Sequence, residues 1–176
     1  MSADSLRLFF ALGCPPELAA TIAAWRDSLP LPGRPVARAN LHLTLAFIGQ
    51  QPLLRLAALQ ELAAQLQAPA FELHLDRLGR FRNGLLYLTP SQPPEALLSL
   101  AEQLREALLG AGISQENRPY HAHLSLMRHC PMQPLDASPS FDWSVRHFAL
   151  FASEPAASGR LYRQLQQWSL GRNDQV

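Results

Sequence analysis

A short strand pattern, written twice, constrains this chain more than any other feature. Leu41-His42-Leu43-Thr44-Leu45-Ala46-Phe47-Ile48 alternates apolar and polar residues with the period of a β-strand. Strict alternation sends Leu41, Leu43, Leu45 and Phe47 into a core and leaves His42, Thr44 and Ala46 on the other face. The pattern returns 81 residues later in Ala122-His123-Leu124-Ser125-Leu126-Met127, where His123 and Ser125 share a face. A lone histidine on a half-exposed strand is ordinarily a surface residue. Two strands alike in residue type, spacing and register point instead to the matched halves of one site.

The remaining elements arrange themselves around these strands. Leu6 to Leu12 reads as a strand, and Pro15-Pro16 opens a helix with Leu18, Ile22, Trp25 and Leu29 on one face. A second helix runs from Pro52 to about Gln67, and Phe71 to Leu78 alternates as a strand. Gly79 to Gly84 is a turn carrying an Asn-Gly hairpin signal, and Leu85 to Thr89 is the return strand. A third helix begins within Ser91 to Pro94 and stops at Gly110 and Gly112. Cys130 to Ser140 is a loop, and 145–152 and 161–170 are further strands. Strand, Pro-initiated helix and motif strand thus occur twice. The expected fold is α+β: two pseudo-symmetric lobes, each a mainly antiparallel sheet with outer helices, around a central cleft. Residues 1–176 form a single bilobal domain in this reading, a size that suits one shared core.

Composition narrows the function classes. No apolar run approaches the ~20 residues that span a bilayer, and Asp4 and Arg7 interrupt the start too early for a secretory signal. A cytoplasmic monomer is expected. Two cysteines, Cys14 and Cys130, make no disulfide framework. A formal net charge of +1 argues against a long nucleic-acid track but leaves room for a grip on one phosphate. All 15 basic residues are Arg, the side chain suited to bidentate phosphate contacts.

Two facing histidines suit concerted acid–base work. Imidazole titrates near pH ~6.5, so one ring can accept a proton while the other donates one. Each role is typically worth ~10²–10⁴-fold in rate. Hydroxyls at Thr44 and Ser125 would donate hydrogen bonds to a developing anion between the rings. In-line displacement at phosphorus fits such a site, and a cyclic phosphodiester fits best. Its opening needs a base for water and an acid for the departing sugar oxygen.

The His-x-Thr and His-x-Ser pair resembles the signature of the two-histidine phosphoesterase superfamily. Within it, the chain is similar to the bacterial RNA 2′,3′-cyclic phosphodiesterases, historically named 2′-5′ RNA ligases. The likeness rests on Arg7 to Ala11, His42 to Gly49, Arg118-Pro119-Tyr120 and His123 to Arg128. It continues through Ser153, Gly159 to Tyr162 and Trp168 to Leu170. The resemblance implies opening of RNA 2′,3′-cyclic phosphate ends to 2′-phosphomonoesters, with reverse 2′-5′ ligation of RNA ends on the same site. It implies His42 as proton donor to the leaving 3′ oxygen and His123 as the acceptor that activates water. No cofactor and no metal are implied. Arg128 matches an arginine that approaches the ligand in relatives, although simple alternation buries it, so it needs a bulge to reach the cleft. Phe9 is a candidate to stack on a base, or a core aromatic. Ser125 stands where Thr is usual, keeping the donor but losing the methyl that stiffens χ1. Substrates could be tRNA fragments, other RNA ends or small cyclic nucleotides.

Two other readings compete. His121, His123 and His129 share strand parity with Cys130 adjacent, a set that could hold Zn²⁺. That reading leaves His42 and Thr44 unexplained. A non-catalytic RNA-end binder on the same fold would not need both histidines.

Overall fold

The computed structural model describes residues 4–171. In chain order the strands are β1 (Ser5–Gly13), β2 (Arg34–Pro35), β3 (His42–Pro52), β4 (Phe71–Leu75), β5 (Arg77–Arg80), β6 (Leu86–Thr89), β7 (Leu124–Arg128), β8 (Phe141–Val145), β9 (His147–Ala156) and β10 (Gly159–Ser169). The helices are α1 (Pro16–Asp27), α2 (Leu56–Ala64) and α3 (Glu95–Gly110), and Arg38–Asn40 makes a 3₁₀ turn before β3.

Seven strands run in the order β10-β9-β1-β3-β7-β6-β5, with β2 paired onto β7. The two motif strands are neighbours at the middle of that sheet. They meet antiparallel through Leu43 and Leu124, the residues that follow the two histidines. One lobe lies on the β1, β9 and β10 side of this junction and the other on the β6 and β5 side. All recorded pairings are antiparallel. The helices cover the apolar face of the sheet with Ile22 from α1, Leu59 from α2, and Leu97, Leu100, Leu104 and Leu108 from α3. Gly112, with a φ of 81°, turns the chain after α3 so that the Ile113 N–H reaches the Leu108 carbonyl at 2.9 Å.

The lobes exchange strands, which the repeat alone does not predict. β5, from the first half, pairs with β6 of the second, and β9, from the second half, returns to β1. The apolar strand expected over 71–78 breaks at Asp76, whose carboxylate accepts from Ser91 N–H and Oγ–H at 2.8 and 2.6 Å. β4 and β5 therefore go to different sheets. A matching break at Arg146 separates β8 from β9, so Phe71 to Phe81 and Phe141 to Phe151 are equivalent segments. β4 and β8 pair with each other, Leu73 opposite Trp143, as a two-stranded sheet on the approximate twofold.

Both motif strands also bulge at equivalent places. In β3 the register against β1 jumps from Ala11–Thr44 to Phe10–Ala46, leaving Leu45 extra. Along β7 the register against β6 jumps from Tyr87–Ser125 to Leu86–Met127, leaving Leu126 extra. A bulge resets the parity that follows it. Consecutive residues Leu45 and Ala46 are buried, as are Leu126 and Met127. Phe47, expected in the core, is therefore 63% exposed, and Ile48 takes the buried place. In α1 the buried stripe is Ala19, Ile22, Ala23 and Arg26 rather than the expected Leu18, Ile22, Trp25 and Leu29. Arg26 is buried because its Nη1 donates to the Val36 carbonyl at 2.6 Å and reaches the bulge carbonyl of Leu126 at 3.5 Å.

Candidate active site

Each motif histidine is oriented by the same local device. His42 Nδ1 lies 2.7 Å from the Asn40 carbonyl, and His123 Nδ1 lies 2.9 Å from the His121 carbonyl. A carbonyl only accepts, so Nδ1 carries the proton in both rings and Nε2 is the bare nitrogen of the neutral form. Thr44 Oγ1 is 3.0 Å from His42 Nε2 and donates to it. Antiparallel pairing about Leu43 and Leu124 carries Thr44 toward His123 and Ser125 toward His42. Both hydroxyls belong to the region between the rings.

An aromatic floor supports each ring. Under His42, Phe9 lies 5.1 Å away by ring centroid, Phe151 stacks on Phe9 at 5.4 Å, and Tyr162 stands edge-on to the imidazole at 5.0 Å. Phe81 is edge-on to His123 at 5.2 Å and stacks on Tyr87 at 4.3 Å. Phe81 and Phe151 are equivalent in the repeat. Gly79 makes room for this arrangement, since a Cβ there would sit 2.4 Å from the Tyr87 ring. Of its two readings Phe9 follows the core aromatic rather than the base-stacking one: at 3% exposure it is buried beneath His42 and offers no free face.

Burial holds the His42 pKa below the ordinary imidazole value; the Asn40 hydrogen bond opposes this, and the charges of His123 and Arg128 add to it. His123 is lowered for the same first reason, opposed by its bond to His121 and reinforced by the charge of His121. The neutral forms are therefore favoured before an anion enters. A phosphate between the rings supplies the opposite charge that favours protonation.

The bulge in β7 settles how Arg128 escapes the core. It is exposed, pairs with Arg34 across β2, and is close enough to act on His42. Phe47 is its counterpart in the first strand, a residue that strict alternation misplaces. Its exposed ring lies 6.2 Å from Phe9. The zinc set does not converge. His121 and His123 stack at 5.8 Å, and His129 sits in a left-handed turn (φ 53°) beyond the bulge. The buried Cys130 thiol donates to the Met132 carbonyl at 3.1 Å. Among the described residues no three His, Cys, Asp or Glu side chains are placed to hold a metal ion.

Two further residues organise the site. The Asn40 amide bridges β10, donating to the Arg160 carbonyl at 2.7 Å and accepting from Tyr162 N–H at 3.2 Å. One residue therefore orients His42 through its backbone and locks the strand that carries Tyr162 through its side chain. Tyr120 Oη donates to the Thr44 carbonyl at 2.7 Å, tying the approach to the second motif onto the first. Burial raises the Tyr120 pKa, so the hydroxyl stays a donor. Neither contact has a local sequence signal, because the partners lie 76 to 122 residues away.

Comparisons with known proteins agree with this geometry. A family model described as the 2′-5′ RNA ligase superfamily matches residues 14–154. The chain is 40% identical over 169 residues to the RNA 2′,3′-cyclic phosphodiesterase of Escherichia coli, covering 93% of this chain and 96% of that one. It is 35% identical to the RNA 2′,3′-cyclic phosphodiesterase of Thermus thermophilus, covering 94% of this chain and 90% of that one. The crystal structure of E. coli LigT complexed with 3′-AMP superposes with a TM-score of 0.88 at 38% identity, over 94% of this chain and 98% of that chain. Sequence, fold and likeness thus agree over nearly the whole length, and the protein belongs to the 2′-5′ RNA ligase superfamily.

Proposed function

We propose that this protein hydrolyses RNA 2′,3′-cyclic phosphate ends to 2′-phosphomonoesters, using His42 as general acid and His123 as general base. The observation that carries the reading is the pair of imidazoles on adjacent antiparallel strands, each held by Nδ1, so that Nε2, which in His42 accepts from Thr44, is the nitrogen left to exchange a proton with substrate. His123 Nε2 takes a proton from water as its oxygen bonds to phosphorus. The P–O3′ bond breaks, and His42 Nε2 gives its proton to the departing 3′ oxygen. One proton enters the enzyme and one leaves, so exchange with solvent restores the starting state. The phosphate stays on the 2′ oxygen.

Thr44 and Ser125 donate to the non-bridging oxygens, where charge gathers in the transition state. Arg128 adds a fixed cation on the same face. Phe47 presents an exposed ring to a nucleobase, since stacking on an aromatic is tolerant of base identity. With a 5′-hydroxyl in place of water as the nucleophile, the same ring opening joins RNA ends through a 2′-5′ linkage, His123 taking the hydroxyl proton and His42 giving one to the departing 3′ oxygen. The names of the E. coli and Thermus relatives support the forward reaction.

The deciding experiment is turnover of a short RNA ending in a 2′,3′-cyclic phosphate, in excess chelator, with the product resolved as 2′- or 3′-phosphate. A 2′-phosphate is expected. A 3′-phosphate would reverse how the substrate lies between the histidines. Activity lost in chelator and restored by Zn²⁺ would overturn the metal-free mechanism.

A further inference from the structure

A groove of about 530 Å³ opens at His42 and runs away from it, between the 3₁₀ turn, the start of β9 and the exposed face of β10. That volume lies within the range of pockets that enclose a small ligand. None of its lining residues is Asp or Glu, in a chain with 14 of them, whereas Arg146 and His147 both line it. Arg146 touches Glu72 through Nη2 at 3.4 Å, an exposed and weak pairing that a phosphate can share.

The floor is built by a further bulge, in β10. Gln164 lies opposite Phe151, and Gln167 lies opposite Ala149, because Leu165 is extra in the register of β10 against β9. Phe151 and Ala149 both belong to the aromatic layer beside His42. Three residues apart on a regular strand, Gln164 and Gln167 would face opposite ways. The bulge turns both amides toward the same groove.

A cyclic phosphate uses both the 2′ and 3′ oxygens of the terminal ribose. The rest of an RNA strand can leave only through that ribose's 5′ oxygen. With the 3′ oxygen at His42, the strand continues on the His42 side. We infer that the groove is the subsite for the nucleotide on the 5′ side of the terminus, so that the enzyme prefers RNA chains to mononucleotides. This inference rests on the reaction proposed above for its orientation. Gln164 and Gln167 would contact the base edge or 2′-hydroxyl of that nucleotide, and Arg146 its phosphate.

The test uses binding, so that it stands apart from turnover. A 5′-labelled hexanucleotide ending in a 2′-phosphate is titrated against the wild type, the Gln164→Ala/Gln167→Ala double variant and Arg146→Ala. A nucleoside 2′-monophosphate serves as the short comparison. Losing the two amides should weaken hexamer binding about tenfold, with the mononucleotide changed less than about twofold. Arg146→Ala should weaken hexamer binding and flatten its salt dependence. Hexamer affinity unchanged in both variants, or an equal loss for hexamer and mononucleotide, would overturn the groove as a subsite. Failure of the wild type to open a cyclic phosphate would sink the proposed reaction instead, and selective hexamer loss would still mark the groove as an RNA site.

Discussion

The half of the site around His42 and the half around His123 share a backbone and differ in what dresses it. Both have a Nδ1–H bound to a carbonyl two residues back, a β-hydroxyl two residues on, a bulge after it and a stacked aromatic pair beneath. The differences fall at matched positions. Asn40 stands where the other half has His121, Thr44 where it has Ser125, and Phe47 where it has Arg128. On the His42 side each of these fixes or covers: an amide clamped to β10, a hydroxyl bonded to the ring, an exposed aromatic surface. The His123 side has an imidazole stacked on its neighbour and an exposed guanidinium, and its Ser125 hydroxyl has no partner among the described residues. One frame thus yields a rigid half and an open half. That division suits an acid that must meet one sugar oxygen and a base that must admit water.

The largest effects should come from the two rings. His42→Ala and His123→Ala should each lower kcat/KM by about 10²–10⁴-fold with the fold intact by circular dichroism. A p-nitrophenyl phosphodiester separates the halves, because its leaving group needs little protonation. His42→Ala should recover most of its loss on that substrate, and His123→Ala should not. Recovery by His123→Ala would exchange the two roles. The pH profile bears on the same point. Activity needs one ring protonated and one neutral, and both pKa values are lowered in the free protein. The bell in kcat/KM should therefore centre below the ordinary imidazole value of 6.5. The bell in kcat should lie at higher pH, since bound phosphate raises both. A kcat/KM optimum well above neutrality would contradict the buried, neutral pair.

The hydroxyls come next. Thr44→Ala and Ser125→Ala should each cost about 10²-fold in kcat/KM, in line with loss of one donor to a developing anion. Ser125→Thr should keep or raise activity, because the added methyl limits χ1 as it does at Thr44. If Ser125→Ala outperformed Ser125→Thr, the hydroxyl would not be the feature that matters.

The twin histidine strands were legible because a period of two, read twice, needs no tertiary information. Strand and helix types were legible for the same reason. What lay beyond reach depends on partners far along the chain. At the break, where Ser91 caps Asp76, β4 and β5 part to different sheets, and the lobe exchange follows from which edges then meet. The two bulges are invisible in one strand taken alone, since Leu45-Ala46 and Leu126-Met127 are ordinary apolar doublets. They move Phe47 out of the core and bring Arg128 to the cleft. Aligned with each other, the strands do carry a trace, because an apolar doublet sits at the same offset from each histidine. Arg26, an arginine on the buried face of α1, has its explanation in the Val36 and Leu126 carbonyls that it satisfies. Arg26→Ala should lower stability by about 2 kcal/mol, because the Val36 carbonyl loses its donor while the Leu126 carbonyl keeps the Val36 N–H, read as a loss in urea unfolding free energy.

Asn40 and His121 offer a smaller contrast. Asn40→Ala keeps the carbonyl that holds His42 but releases it and Tyr162 from the clamp on β10, so kcat should fall about tenfold with KM little changed. The Nδ1 proton resonance of His42 should broaden in parallel. His121→Ala keeps the backbone carbonyl that holds His123, so its kcat should fall less than about threefold, with the His123 pKa rising toward the ordinary value as a neighbouring charge is removed. Equal losses in both variants would mean that the clamp on β10 adds nothing to the carbonyl bond.

The smallest effect separates Phe47 from Arg128. A stacked base contributes binding that is uniform from ground state to transition state, so Phe47→Ala should raise KM about fivefold and leave kcat alone. In the proposed mechanism Arg128 meets the reacting phosphate, so Arg128→Ala should lower kcat as well as raise KM. The two bulges would then have set one surface for holding the nucleoside and another for stabilising its charge. A drop in kcat from Phe47→Ala would indicate instead that its ring works through Phe9, 6.2 Å away, to steady His42 from below. A nucleoside-free cyclic phosphate distinguishes these, since it has no base to stack and would respond to Phe47→Ala only in the second case.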